Sequence, residues 1–99
     1  MSTGTSIKEK NKLKIQKPKK YQVVMHNDDF TAMEFVVFIL INIFKKTNAD
    51  AHEIMMTVHK GGRAIVGIYP LDIAKTKVDE TTKLAREEGF PFRLTIEEV

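Results

Sequence analysis

A chain of 99 residues, 42% hydrophobic and 29% charged, can build one core but leaves no room for separate cofactor and substrate domains. With no cysteine it has no disulfide scaffold, thiolate metal site, iron–sulfur ligation or thiol nucleophile. The net charge of +3 is unevenly placed: residues 1–20 carry seven lysines and one glutamate, leaving nine basic and twelve acidic residues in 21–99, so the basicity belongs to the tail.

Residues 1–19 are expected to form a flexible basic extension, because only Met1, Ile7, Leu13 and Ile15 are apolar before Pro18, too little to offset the entropy of ordering. The segment lacks the apolar h-region of a secretion signal. No stretch of the chain approaches the roughly 18 to 20 apolar residues of a membrane span, so a soluble cytoplasmic protein is expected.

The core domain is expected over residues 20–99. Tyr21 to Asn27 is short, β-branched and aromatic, and reads as a strand running into the turn cluster Asn27-Asp28-Asp29. Thr31-Ala-Met-Glu34 matches a capping box that starts a first helix, Ala32 to Phe44. That helix is apolar nearly all round, which predicts burial on every side. Lys45 and Lys46 follow where positive charge complements the macrodipole.

Asn48 is expected to cap a second helix, Ala49 to Lys60, ended by Gly61-Gly62, with Ile54, Met55, Val58 and His59 on one face. Arg63 to Tyr69 reads as a strand. Asp72 to Glu88 reads as a third helix with a stripe of Ile73, Lys77/Val78, Thr81 and Leu84/Ala85, closed by Gly89. Phe92 to Ile96 reads as the last strand. The order β-α-α-β-α-β predicts an α+β fold, a small three-stranded antiparallel sheet packed against three helices.

The densest polar cluster is His26-Asn27-Asp28-Asp29, followed by Thr31, where a strand ends and a helix begins. It reads as an Asx turn with capping, or as two carboxylates placed to hold a cation. His59 stands one turn after Met55, and a lone histidine on an apolar face is ordinarily structural.

No H-E-x-x-H occurs, His52 is seven positions before His59, and the serines are Ser2 and Ser6 in the tail. Gly61-Gly62 follows a helix instead of opening one. Catalytic residues, a metal and a cofactor are therefore not expected, and a binding protein is inferred. Met25, Met33, Met55 and Met56 are either core filler or the lining of an adaptable pocket.

Three runs then resemble, in order and spacing, the ClpS family, the adaptors of the bacterial Clp ATP-dependent protease. They are Asn27-Asp28-Asp29-Phe30-Thr31-Ala32-Met33-Glu34-Phe35-Val36, Met55-Met56-Thr57-Val58-His59-Lys60-Gly61-Gly62 and Ala74-Lys75-Thr76-Lys77-Val78. The likeness runs from about Lys19 to the C-terminus. It implies an adaptor and not an enzyme, one that binds N-degrons beginning with Leu, Phe, Tyr or Trp and a free α-amino group. It also implies delivery of these to the N-terminal domain of a ClpA-type or ClpC-type unfoldase, by a monomer with no nucleic-acid or membrane partner.

By position, Asn27, Asp28, Asp29 and His59 fall where the family surrounds the α-amino group. Met25, Thr31, Met33, Val36, Met55, Val58 and Phe92 fall where it lines the side-chain pocket, with Met33 the gate against β-branched residues. Asp72 and Lys77 fall where it docks on the ATPase. Phe92 is bulkier than the aliphatic residue usual there, which predicts a raised pocket floor. Pro70 replaces a polar residue where the third helix starts, a place that suits proline. The Lys-rich tail is short for the extension that delivers substrate in the family.

The chemistry of these residues agrees. A free N-terminus is a cation with three donors, and an amide oxygen, a carboxylate and a neutral imidazole can each accept one. Met33 and Val36, like Met55 and Val58, are three apart and face one way. Burying one Leu or Phe contributes about 1.5 to 3 kcal/mol and each charge-assisted hydrogen bond a like amount, so after association entropy Kd is on the order of micromolar. The alternative, a nucleic-acid or ribosome-associated module using the Lys-rich tail, lacks an aromatic there for base stacking.

Overall fold

The computed structural model describes residues 18–99, so the expected extension, apart from Pro18 and Lys19, lies outside the described residues. Six elements follow in the expected order: β1 (Tyr21–His26), α1 (Met33–Asn42), α2 (Asn48–Gly61), β2 (Arg63–Tyr69), α3 (Leu71–Glu87) and β3 (Arg93–Glu98). The sheet order is β2-β1-β3. β1 runs antiparallel to both neighbours, with Tyr21 opposite Tyr69 and Glu98 and His26 opposite Arg63 and Arg93. An extra residue in β2, Val66, makes a bulge, because Val23 pairs with Gly67 and Val24 with Ile65.

Side chains alternate across a strand, so Val23 and Met25 point to one face and Val24 to the other. Val23 and Met25 join Val66, Val36, Ile39, Leu40, Ala51, Met55, Val58, Ala74, Ala85, Phe92 and Leu94 in one core. The helices thus cover one face of the sheet, as the α+β reading expects. The opposite face carries a polar layer. There Gln22 donates to Glu97 at 3.0 Å, Arg63 reaches both Glu97 oxygens at 3.2 Å, and the His26 ring pairs with the Thr95 hydroxyl at 2.8 Å.

Several expectations about the elements are corrected. Thr31 does not cap α1: the N-cap is Ala32, without a side-chain bond, and the Thr31 hydroxyl is donated to Asp28 instead. Nor is α1 buried on every side. Val36, Ile39 and Leu40 are enclosed, but Met33 and Phe38 are 44% and 51% exposed, because one layer of helices leaves its outer face in water. The cap of α2 is Thr47, whose hydroxyl accepts from the Asp50 amide at 3.1 Å, while Asn48 is already helical.

On α3 the buried stripe passes through Ala74, Thr81 and Ala85, and Ile73 is exposed. The Thr81 hydroxyl, fully enclosed, donates to the Lys77 carbonyl at 2.8 Å. The positive charge at the end of α1 comes from α3. The Lys77 ammonium donates to the Ile43 carbonyl at 2.8 Å and lies 5.8 and 5.6 Å from the ring centres of Phe44 and Tyr69. Lys45 takes the left-handed conformation (φ 58°) that ends the helix, and the Lys46 amide returns to the Leu40 carbonyl at 2.9 Å. β3 begins at Arg93, one residue after Phe92. Among the described residues no helix is long and apolar enough to cross a membrane.

Candidate functional site

Where β1 ends the chain makes a turn fixed by one carboxylate. Asp28 Oδ1 accepts from the amides of Phe30 (2.8 Å) and Thr31 (2.7 Å), and Oδ2 accepts from the Thr31 hydroxyl (2.8 Å). This is the Asx turn that the residue types allow. Burial alone would raise the Asp28 pKa, but the Thr31 hydroxyl, the two amides and the Arg86 charge together hold it below the usual carboxylate value.

A second bond sets where the turn sits. The Asn27 amide donates to the Gly62 carbonyl at 2.9 Å, and Gly62 is the C-cap of α2, three residues past His59. Its φ of 90° belongs to the left-handed region where a side chain is strained. The strand-to-helix turn and the last turn of α2 are thereby clipped together, which brings Asn27 and Asp29 beside His59.

The result is a cavity of about 220 Å³ lined by Asn27, Asp28, Asp29, Thr31, Met33, Val36, Met55, Val58, His59 and Phe92. Its lining divides in two. Val36, Met55, Val58 and Phe92 are 8% exposed or less and make apolar walls, while Asn27, Asp29 and His59 are exposed and make a polar end. Among the described residues the side chains of Asn27, Asp29 and His59 have no internal hydrogen bond, so their acceptor atoms are open to a ligand. Met33, partly exposed, belongs to both environments. The cavity has room for one large apolar side chain with a cationic group at its end.

All but one of the residues expected around a bound N-terminus line this cavity. Met25 does not. It is fully enclosed in the core of β1 and supports the fold instead of walling the site. Asp28 lines the cavity, yet its oxygens already accept three bonds, which gives it a shaping part and an electrostatic one. Asp72 and Lys77 lie elsewhere, on α3. Asp72 is exposed in the first turn, and Lys77 is half-buried and engaged with Ile43.

Phe92 is enclosed and edge-on to Phe35 at 6.5 Å between ring centres, and Phe35 is in turn 5.1 Å from Phe90. Arg86 reaches the same segment, donating to the carbonyls of Phe90 (2.8 Å) and Phe92 (3.0 Å). Arg86 carries no signal in the sequence beyond being a basic residue in the last turn of a helix.

The fold and the site define a class: a small α+β scaffold with a cavity divided into apolar walls and a polar end. Comparison with known proteins makes this particular. The family model described as ATP-dependent Clp protease adaptor protein ClpS matches residues 16–95. The ATP-dependent Clp protease adapter protein ClpS of Clostridium acetobutylicum is 54% identical over the full length of both chains. That of Lawsonia intracellularis is 54% identical over 87% of this chain and 79% of its own. The solved structure of Agrobacterium tumefaciens ClpS2 bound to L-phenylalaninamide is similar with a TM-score of 0.81 and 41% identity, over 84% of this chain and all of that one. The chain belongs to the ClpS family of Clp protease adaptors, and as an adaptor it is not an enzyme.

Proposed function

We propose that this adaptor binds proteins through their first residue, a bulky apolar one with a free α-amino group, and hands them to a Clp ATPase for degradation. The observation that carries the reading is the division of a single cavity into apolar walls (Val36, Met55, Val58, Phe92) and a polar end of unengaged acceptors (Asn27, Asp29, His59). An N-terminal residue has the same two parts, a side chain to bury and an ammonium with three donors. Asp28, held ionised by its turn, adds negative potential where that cation enters. The phenylalaninamide bound by the Agrobacterium relative carries the same pair of groups, a large apolar side chain and a free amine.

Family membership supports a Clp ATPase as the partner. Asp72 and Lys77 on α3 are the proposed docking residues, on a helix that does not line the cavity.

The test is calorimetric binding of a short Phe-initiated peptide and its N-acetylated twin. Micromolar binding of the first and loss of at least about tenfold for the second are expected, since acetylation removes a charge-assisted hydrogen bond. Equal affinities would overturn the reading. Asp29→Ala and His59→Ala should each weaken the free peptide about tenfold or more and leave the acetylated one unaffected.

A further inference from the structure

Two walls of the cavity are made of chain that is neither helix nor strand. One is the turn from Asn27 to Thr31, fixed by the Asp28 carboxylate and by the Asn27–Gly62 bond. The other is Phe92, the last residue of the segment Phe90 to Phe92 between the end of α3 and the start of β3. A segment outside the ladders needs other partners to hold it still. Here one side chain provides them. Arg86 Nη1 donates to both the Phe90 carbonyl at 2.8 Å and the Phe92 carbonyl at 3.0 Å. The segment leaves α3 through Gly89, whose φ of 81° reverses the chain so that these carbonyls turn back towards the helix that bears Arg86.

Phe92 is the cavity's largest fully enclosed wall, 1% exposed. Its ring is held by packing against Phe35, and its backbone by the Arg86 fork. A ring that could recede would admit larger first residues with less discrimination, whereas a fixed ring sets how deep a side chain enters. The positive charge of Arg86 also helps to lower the Asp28 pKa.

We infer that Arg86 is a positioning residue for substrate selection: by fixing the Phe90–Phe92 backbone it holds the Phe92 ring as the pocket floor and so sets the size preference for the substrate's first side chain. The inference rests on the proposed reading of the cavity. Arg86 does not line the pocket and acts through Phe92.

The experiment measures Kd for three peptides identical but for a first residue of Leu, Phe or Trp, with wild type, Arg86→Ala, Arg86→Lys, Phe92→Ala and the Arg86→Ala/Phe92→Ala pair. Arg86→Ala is expected to change the Leu-to-Trp affinity ratio by about threefold or more in favour of Trp, a change of the size that altered pocket contacts produce. Arg86→Lys, which keeps one donor in reach, should restore part of the ratio. In the Phe92→Ala background, where no ring remains to be placed, Arg86→Ala should leave the ratio unchanged.

A uniform loss for all three peptides, no change, or the same ratio change with Phe92 already removed would each overturn the inference. Thermal melts accompany every variant. If Arg86→Ala does not fold, Arg86→Lys carries the comparison, and a wild-type ratio in that variant overturns the inference. Wild type that binds none of the peptides would overturn the reading of the cavity as well, and so is distinguished from a failure confined to Arg86.

Discussion

His26 stands on the sheet face turned away from the helices, opposite Arg63 and Arg93 on its two neighbours. Burial, then Arg93 and Arg63, hold its pKa below the usual histidine value, with Glu97 pulling the other way. The folded chain therefore binds this proton less readily than the unfolded one. Its contribution to stability is complete above about pH 6.5 and declines as pH falls below that value. His26→Gln keeps a partner for Thr95 and should flatten the slope of urea stability as pH falls below about 6.5; an unaltered slope would assign it to other groups. Asp28 has the same sense at lower pH. Its depressed pKa means that the turn holds above the ordinary carboxylate range and weakens as pH falls through the folded value. Thr31→Val removes the bond to Oδ2 and should move the Asp28 pKa, followed by carboxyl NMR titration, up towards about 3.9. At this scale the candidate residues were legible because they come in short runs, 27 to 31, 33 to 36 and 55 to 59, that carry the family resemblance, while three-residue spacing gives a common face to Met33 and Val36 and to Met55 and Val58. Met25, placed in the pocket by the resemblance alone, shares the core face with the cavity walls but is fully enclosed and does not reach the cavity, a depth that position in a motif does not show. Arg86 was invisible because its meaning lies in two carbonyls presented by a turn.

Among the elements, the helix ends hold the clearest predictions. Lys45 adopts φ 58° where glycine is favoured, so Lys45→Gly is expected to raise stability by up to about 1 kcal/mol, seen as a higher urea midpoint. Lys77→Met keeps the stem but loses the donor to Ile43 and the charge beside Phe44 and Tyr69. It should cost about 1 to 2 kcal/mol. Lys77 is also a proposed docking residue, so its effect on ATPase binding has to be measured on folded variant at matched stability. The order of six elements was readable from hydrophobic period and turn residues, because these are local signals. The caps were off by one because Thr47 and Asn48 are both good capping types and only the hydrogen bond to Asp50 chooses between them. The all-round burial expected of α1 failed for a different reason. Phe38 is exposed because an apolar outer face records composition, while burial depends on whether a further layer exists to cover it.

For the whole molecule, the central position of β1 separates two ends. Pro18 to Lys20 lead into its first residue, and the cavity opens after its last, about 20 Å away for six residues of strand. Removal of residues 1–17 is accordingly expected to leave affinity for a Phe-initiated peptide within about twofold, because distant sites act independently. Degradation of a Phe-initiated reporter by the assembled Clp protease should fall, and undiminished degradation would show that the basic segment takes no part in delivery. The placement of β1 also governs how the domain bears a load. A pull on the residues before Pro18 runs along the strand and is opposed at once by the ladders to β2 and β3 and by the Val99 amide on the Lys20 carbonyl. With the opposing hold at the cavity end, those bonds are loaded in shear, all together. A load applied between that end and the cavity would therefore strain the sheet before it disturbed the Asn27 turn at the far side.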